Sequence, residues 1–325
     1  MKNHLRIVIP GGSGQVGTIL SRHFHAQGHD VVVLARSAKL AKWRVVNWDG
    51  ENLGGWASEL EKSDVVVNLA GRSVNCRYTA ANRKAIMESR AKSTRLLGKT
   101  IRQLAHPPRL WMNASTATIY RHIFDRAMDD QTGEIGGDEP DAPAKWKFSI
   151  DVATTWEEAF FEAETPNTRK LALRSAMVMS PDRGGIFDTL LRLVRFGLGG
   201  RAGSGRQFIS WIHDADFLTA VDLLIIRDEF TGSVNLSSPN PVPNLEFMKA
   251  LRTAWGTPIG LPAANWMLEI GSILLRTETE LVLKSRRVIP SRLLKAGLQF
   301  QFPDWAAAAQ NLVARWRATE NLKSG

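Results

Sequence analysis

A glycine-rich segment near the start of the chain has the spacing to bind a phosphate. Residues 11–17 read Gly-Gly-Ser-Gly-Gln-Val-Gly, follow the apolar run Ile7–Ile9 and precede a helix-like segment. Glycine permits a tight turn and close backbone approach to a pyrophosphate at Gly11 and Gly14, and at Gly17 it lets the helix pack closely. The unpaired N–H groups and the positive dipole end of that helix then face the anion. The spacing is G-x-x-G-x-x-G rather than the commoner G-x-G-x-x-G, but the strand–turn–helix context predicts a dinucleotide site. The predicted contacts are Gly11, Ser13, Gly14, Gln15, Val16 and Gly17.

The end of the second predicted strand indicates which dinucleotide binds. The strand ends at Ala35 and is followed by Arg36 and Ser37, with no acidic residue before Asp49. An acidic residue here would hold the ribose hydroxyls of NAD, whereas an arginine pairs with a 2′-phosphate and stacks on adenine. Arg36 and Ser37 therefore predict NADP(H) over NAD(H), with a solvated loop arginine as the alternative.

A third predicted strand also ends in small residues. Leu69, Ala70 and Gly71 follow the buried run Val65–Asn68 and would let the cofactor lie against the backbone. Ala-Gly after a strand is also ordinary turn chemistry, so this signal is weaker than the first two.

Composition limits the class of protein. The chain has 325 residues, 44% of them hydrophobic, which suits one or two globular domains. It contains no long apolar run, so no membrane span and no secretory signal are expected. The single cysteine, Cys76, excludes an internal disulfide and favours a reducing, cytoplasmic setting. The seven histidines show no metal-ligand spacing, so no metal is expected.

The net charge of +10 favours anionic partners. The basic residues are scattered, and the densest group is Lys284–Arg287. No basic stripe with stacking side chains is visible, so nucleic-acid binding is disfavoured.

Strand-like and helix-like segments alternate, which predicts an α/β fold, a Rossmann-type doubly wound parallel sheet with a smaller, mainly C-terminal cap. The predicted strands are Arg6–Pro10, Asp30–Ala35, Asp64–Leu69, Leu110–Ala114, Lys170–Arg174 and Ser233–Leu236. The predicted helices are Gly14–Gln27, Thr79–Leu104, Ser149–Glu164, Asp214–Arg227, Leu245–Trp255 and Trp266–Arg276.

We assign 1–238 to the NADP-binding domain, with 175–210 contributing to the substrate side, and 239–325 to the smaller domain. Its segment Leu298–Phe302 alternates apolar and polar residues. The long loop Arg121–Lys145 is either a functional lid or disordered.

With these motifs in place, the chain resembles the extended short-chain dehydrogenase/reductase (SDR) superfamily. Within it, the chain is similar to an atypical epimerase-family branch with a distinctive C-terminal domain, linked to NAD(P)-dependent sugar-nucleotide epimerases. The resemblance covers nearly the whole chain and implies a small-molecule substrate, with a sugar nucleotide as the candidate class; the superfamily often forms homodimers. The branch-like segments are 86–90, 197–200, 203–208, 210–214, 279–290 and 297–303.

The superfamily's catalytic signature is a tyrosine four residues before a lysine on one helix. The ammonium lowers the pKa of the phenol, so the tyrosinate acts as a general base. No such pair exists here, because the two tyrosines, Tyr78 and Tyr120, are followed at that spacing by asparagine and phenylalanine. By the resemblance, Phe148 and Val152 occupy the places of the tyrosine and the lysine, and neither transfers a proton.

Part of the superfamily's site is retained. Residues 115–120 resemble its Ser/Thr-x-x-Val-Tyr pattern, which puts Thr116 in the place of the catalytic hydroxyl and Tyr120 on the pocket wall. The alternative is a satisfied strand-end hydroxyl and a structural aromatic ring. The branch's glycine after the tyrosine is replaced by Arg121.

Three later residues resemble the substrate side of the family. Arg206 matches the arginine that holds the diphosphate of a sugar nucleotide, with pairing to Asp214 or Asp216 as the alternative. Trp211 and His213 lie beside it, and His213 reads more readily as a hydrogen-bonded core residue than as a titrating one.

Two functions remain open. The first is an NADP(H)-dependent epimerase, dehydratase or reductase that lacks the usual acid–base pair. The second is a non-catalytic NADP(H)-responsive binding protein, in which the cofactor orders the loop Arg121–Lys145.

Overall fold

A seven-stranded parallel sheet forms the centre of the computed structural model, which describes residues 4–37, 40–140, 142–264, 267 and 278–324. Its strands are β1 (Arg6–Pro10), β2 (Asp30–Ala35), β3 (Arg44–Asn47), β4 (Val65–Asn68), β5 (Leu110–Thr116), β6 (Arg169–Ser175) and β10 (Gly232–Leu236). Their order across the sheet is β10-β6-β5-β4-β1-β2-β3. The chain runs outward from β1 in one direction and restarts at β4 on the other side of β1. The switch point, where such sheets bind ligands, therefore lies between β1 and β4.

Two small sheets and a set of helices complete the fold. The short strands are β7 (Met177–Met179), β8 (Phe208–Ile209), β9 (Trp211–His213) and β11 (Val242–Pro243), paired β7 with β9 and β8 with β11. The helices are α1 (Gln15–Ala26), α2 (Ala80–Gln103), α3 (Lys147–Phe161), α4 (Ile186–Arg195), α5 (Asp214–Ile226), α6 (Asn244–Trp255), α7 (Glu280–Leu283), α8 (Ser291–Lys295) and α9 (Trp305–Ser324). Short 3-10 helices lie at Gly55–Glu59, Ala117–Ile119 and Ala144–Trp146.

Both faces of the large sheet are buried, which confirms the predicted doubly wound α/β class. On one face, Ile7 and Ile9 pack with Phe24 of α1 and Phe217 of α5. On the other face, Val8 packs in a cluster with Trp111 of β5 and helix residues from α2 and α3. Strands buried on both sides must be apolar almost throughout, which explains runs such as Val65–Val67.

A second core joins α4, α6 and α9. The ring of Phe247 stacks on that of Trp305 with centroids 3.9 Å apart, and Trp211 contacts Trp305 edge-on. Phe187 and Trp211 precede residue 238, so this core also draws on the segment 177–213. The segment around α8 packs instead on the main core through Leu293 and Leu298. The C-terminal third is thus divided between the two cores.

The predicted elements of the large sheet are present. Among the described residues, the sequence analysis missed the edge strand β3, the short strands β7, β8, β9 and β11, and the helices α4, α7, α8 and α9. Strand β3 is short, and its terminal residues Arg44 and Asn47 are exposed. The predicted helix Trp266–Arg276 lies outside the described residues. The alternating segment 298–302 is not a strand, because the N–H groups of Gln301 and Phe302 donate to the Asp216 carboxylate instead of to a neighbouring strand.

The loop Arg121–Lys145 is held by hydrogen bonds over much of its described part. Gly136 N–H donates to the carbonyl of Ile119, and Met128 exchanges two backbone hydrogen bonds with Arg287 and Ile289. The loop therefore connects the end of β5 to the C-terminal segment. Among the described residues, none of the helices is long and apolar enough to cross a bilayer.

Helix α1 packs closely on the turn that precedes it. A Cβ added at Gly17 would lie 2.4 Å from the backbone of Gly12, a distance that real Cβ contacts do not show. Substitution must therefore move the helix away from the turn.

We predict that Gly17→Ala lowers the free energy of unfolding by about 1–3 kcal/mol, the usual range for overpacking. The matched control is Gly55→Ala, where an added Cβ meets nothing within 4 Å and the change stays within about 0.5 kcal/mol. Urea unfolding followed by tryptophan fluorescence measures both. Equal urea midpoints for Gly17→Ala and Gly55→Ala would show that α1 does not pack closely on the turn at Gly12.

Candidate functional site

The turn after β1 brings the ends of β1 and β4 into contact. Gly11 has a φ of +74°, and a Cβ added there would lie 2.6 Å from backbone atoms of Ala70. Only glycine fits this left-handed, closely approached position. At Gly14 an added Cβ would meet nothing within 4 Å. An open space therefore remains in front of α1.

The N-terminus of α1 presents hydrogen-bond donors to that space. The N-cap Gly14 provides no side-chain cap, and the first turn contains no acidic residue. The first N–H groups of a helix lack intrahelical partners and, with the helix dipole, favour an anion. The Nε2 atom of Gln15 is also buried without a hydrogen-bond partner among the described residues. These groups fit the phosphate of the dinucleotide predicted for residues 11–17.

Arg36 and Ser37 follow β2 at the same edge of the sheet, because β1 and β2 are parallel and in register from Arg6 with Asp30 to Pro10 with Leu34. Both residues are exposed, and the Arg36 guanidinium has no ion pair within the described part of the chain. Asp49 is engaged elsewhere: hydrogen bonds from Asn52 lower the pKa of its carboxyl to about 2. The free cation at the strand end is thus Arg36.

The turn after β4 is fixed by a buried asparagine. Asn68 Nδ2 donates to Asn113 Oδ1 at 2.6 Å, and Asn68 Oδ1 accepts from the N–H of Ala70 at 3.1 Å. Leu69 N–H donates to the carbonyl of Pro10 at 2.8 Å. These contacts place Leu69, Ala70 and Gly71 beside the glycine turn, where the predicted cofactor contacts converge.

Arg90 lies against this turn and was missed as a site residue, although it ends the branch-like segment 86–90. A Cβ on Gly71 would lie 3.1 Å from Arg90 Cζ. Its Nη1 donates to the carbonyls of Arg72 and Ile86 at 3.0 and 3.1 Å, and its Cζ lies 5.0 Å from the Trp156 ring. Among the described residues no carboxylate forms an ion pair with it. Burial lowers the pKa of the Arg90 guanidinium to about 10.

Thr116 and Tyr120 make structural contacts. The Thr116 hydroxyl accepts from Thr118 N–H at 3.1 Å and caps the following 3-10 helix. Tyr120 is 1% exposed; its hydroxyl donates to Asn235 Oδ1 at 2.9 Å and accepts from Arg174 Nη1 at 3.0 Å. Burial raises the pKa of this phenol. The contacts of Thr116 and Tyr120 are thus those of a satisfied strand-end hydroxyl and a structural aromatic ring.

A buried ion pair holds Tyr120 in place. Arg174 on β6 binds Glu157 on α3 through two parallel hydrogen bonds of 2.8 and 2.7 Å. Ser115 Oγ adds a third at 2.6 Å to Glu157 Oε1. The ion pair anchors α3 to the sheet beside the tyrosine, and the sequence analysis did not identify it.

Phe148 and Val152 lie in the first half of α3. Val152 is buried, whereas the Phe148 ring faces two polar side chains: its centroid lies 5.0 Å from the Tyr78 ring and 4.9 Å from Arg83 Cζ. By the resemblance, Phe148 occupies the position of the superfamily's catalytic tyrosine. The phenol of Tyr78, from the loop between β4 and α2, therefore lies beside that position.

The three predicted substrate residues separate into two groups. Arg206 is exposed, and its side chain has no partner among the described residues, since Asp214 pairs with Arg315 and Asp216 binds the backbone at 301–302. Trp211 is fully buried in the second core.

His213 is 1% exposed, and both of its ring nitrogens are engaged. Its Nδ1 accepts from Ala215 N–H, its Nε2 contacts Asn311 Oδ1 at 3.1 Å, and its ring stacks on Phe302 at 3.9 Å. Burial lowers the pKa of the imidazole. The geometry leaves Arg206, but not Trp211 or His213, accessible to a substrate. No cluster of histidine, cysteine and carboxylate groups suited to a metal occurs among the residues that the structure describes.

Comparison with known proteins identifies relatives over nearly the whole chain. The model of the NAD dependent epimerase/dehydratase family matches residues 7–235, and that of a domain of unknown function, DUF1731, matches residues 263–312. The epimerase family protein SDR39U1 of Bos taurus is 30% identical over 316 residues, covering 95% of this chain and 100% of that protein. An epimerase family protein of Staphylococcus saprophyticus is 30% identical over 318 residues, covering 96% and 100%.

Two solved structures extend the comparison. The crystal structure of human SDR39U1 with NADPH has a TM-score of 0.82 and 28% identity, and the match covers 95% of this chain and 99% of that one. A nucleoside-diphosphate sugar epimerase from Corynebacterium glutamicum has a TM-score of 0.73 and 26% identity, covering 99% of this chain and 62% of that one.

We predict that Glu157→Gln lowers the free energy of unfolding by about 3 kcal/mol, because Arg174 is left buried without its counter-ion. Glu158→Gln is the matched control, since the next residue of α3 is exposed and its change stays within about 0.5 kcal/mol. Urea titration measures both. Equal stabilities would show that the ion pair does not anchor α3.

Proposed function

Because the chain belongs to the NAD dependent epimerase/dehydratase family, we propose that it binds NADP(H) between β1 and β4 and catalyses a redox reaction on a small carbonyl or alcohol. The reaction class is that of an epimerase, dehydratase or reductase. A cytoplasmic setting, suggested by the single cysteine, is part of this proposal.

The observation that carries the proposal is the unpaired Arg36 at the end of β2, on the edge where α1 presents its N-terminus. The α1 donors and Gln15 would hold the pyrophosphate, and Arg36 with Ser37 would hold the 2′-phosphate. The backbone of 69–71 would lie beside the cofactor. When bound, NADPH supplies a hydride; this chain's residues bind and orient it. The human relative crystallised with NADPH supports the same choice.

A sugar nucleotide is the substrate class we propose. The exposed Arg206 guanidinium has the planar fork that binds a diphosphate, and it has no protein partner in the described part of the chain. The Corynebacterium glutamicum structure, a nucleoside-diphosphate sugar epimerase, supports this class.

A second candidate is a binding protein that responds to NADP(H) without turnover. Phe148 and Val152 favour it, since they leave α3 without the usual proton-transfer groups. The two functions differ in one measurement: the second gives cofactor affinity with no oxidation of NADPH by any carbonyl compound or sugar nucleotide.

We predict that Arg36→Ala weakens NADPH binding about tenfold to a hundredfold, the range for losing a charge-assisted hydrogen bond. NADH, which lacks the 2′-phosphate, should lose much less affinity in Arg36→Ala than NADPH, because only the stacking on adenine is removed. Isothermal titration calorimetry measures the four dissociation constants.

The matched control is Arg95→Ala, which removes an exposed arginine from α2 and leaves both affinities unchanged. The assignment fails if the unaltered protein binds NADPH and NADH equally, or if Arg36→Ala binds NADPH as tightly as Arg95→Ala.

A further inference from the structure

A polar cluster lies next to Phe148, built from segments far apart in the sequence. Tyr78 comes from the loop between β4 and α2, Ser149 from α3, and Glu280 and Arg286 from the C-terminal segment. Arg90 on α2 completes it. Binding a dinucleotide at the glycine turn does not require these groups. Buried titratable groups often cluster at functional sites, so this cluster is a candidate site.

The phenol of Tyr78 is the centre of the cluster. Its ring contacts Phe148 edge-on at 5.0 Å, and the neighbouring Ser149 side chain lies near enough to its hydroxyl to affect the pKa of the phenol. Tyr78 N–H donates to Glu278 Oε1 at 2.7 Å, which fixes the loop. Burial raises the pKa of this phenol. It is therefore protonated near neutral pH and suited to donate a proton.

The buried carboxyl group of Glu280 contacts Ser149. Ser149 Oγ lies 2.6 Å from Glu280 Oε2, while Glu280 Oε1 is buried without a hydrogen-bond partner among the described residues. Burial raises the pKa of the Glu280 carboxyl, which favours its protonated form. Ser149 and Glu280 are thus the groups from which we expect Tyr78 to regain a proton.

Two guanidinium groups lie close enough to the phenol to interact with it electrostatically, those of Arg90 and Arg286. Arg286 donates from Nε to Thr118 Oγ1 at 3.0 Å, which ties it to the end of β5. Nearby positive charge stabilises a phenolate. Burial acts on Tyr78 in the opposite sense and, together with the carboxyl groups of Glu280 and Glu278, raises the pKa of its phenol. The cluster therefore keeps Tyr78 protonated as a donor, unlike the superfamily's lysine, which lowers the pKa of its tyrosine.

The cluster adjoins the cofactor crevice through Arg90. Its guanidinium lies against Gly71, the turn at Gly71 continues from Ala70, and Ala70 contacts Gly11. Arg90 therefore lies at the edge of the predicted cofactor crevice and interacts electrostatically with Tyr78.

We propose that Tyr78 is the proton donor that replaces the missing tyrosine of α3. The phenol O–H bond would break as a new O–H bond forms on the substrate's carbonyl oxygen; NADPH, when bound, would supply the hydride to the carbonyl carbon and leave as NADP+. The phenolate would then take the proton of Ser149 and Ser149 that of Glu280, and the site would regain one proton from solvent as the product leaves. This inference rests on the proposed function, because it needs NADPH in the crevice.

The test uses the fact that the chain has only two tyrosines. Full-length protein labelled with carbon-13 at the tyrosine ring carbon that bears the hydroxyl gives two signals, and Tyr78→Phe assigns them. Saturating NADPH should shift the Tyr78 signal and leave that of the buried Tyr120 in place. If NADPH binds and the Tyr78 signal stays fixed, this inference is wrong while the proposed function stands. If calorimetry finds no NADPH binding, the proposed function fails, and this inference with it.

A kinetic measurement tests the role itself, with phenanthrenequinone as the carbonyl probe. Tyr78→Phe should lower kcat by about a hundredfold or more, the usual contribution of a general acid, and leave the NADPH dissociation constant unchanged. Glu280→Gln should lower kcat less and change its pH profile, since it interrupts reprotonation rather than the first transfer. Arg102→Gln, on the exposed end of α2, is the control with unchanged kcat. An unchanged kcat in a folded Tyr78→Phe protein overturns the proposal.

Discussion

The contact between the glycine turn and the end of β4 is the constraint on which the site depends. Backbone of one segment can approach backbone of the other to this distance only where Gly11 lacks a Cβ. The same contact sets the crevice at the switch point, leaves the α1 donors facing open space, and brings the 69–71 turn within reach of Arg90. The proposed nucleotide crevice and its contact with Arg90 thus follow from one packing requirement.

Much of the fold could be predicted from the sequence, because buried parallel strands are continuous apolar runs bounded by turns. The edge strand β3 has a polar residue at each end and contains no such apolar run, so it was not predicted. The apolar–polar alternation at 298–302 is also typical of a strand, but a carboxylate, Asp216, accepts the N–H groups that a neighbouring strand would have paired. Local patterns cannot reveal a partner that lies elsewhere in the chain.

The cradle could be predicted, but the polar surroundings of Phe148 could not. Gly11–Gly17 and Arg36 are adjacent in sequence to the strands that place them, so their position follows from the sheet alone. Tyr78, Ser149 and Glu280 come together only because the C-terminal segment folds back onto α3 and the β4–α2 loop. Tyr120, by contrast, matches a family pattern, yet its hydroxyl is taken up by Arg174 and Asn235.

The two tyrosines differ in the hydrogen-bond networks that surround them. Tyr120 is held by a network built on the Arg174–Glu157 pair, in which all three Arg174 nitrogens, both Glu157 oxygens and the Tyr120 hydroxyl are engaged, and rigidity is the result. The network around Tyr78 is incomplete, since a Glu280 oxygen is buried without a partner and Arg90 has no paired carboxylate among the described residues. A buried polar group left unsatisfied costs folding free energy, and a bound ligand can supply the missing partner. The incomplete network, rather than the complete one, is therefore the one that the proposed substrate would complete.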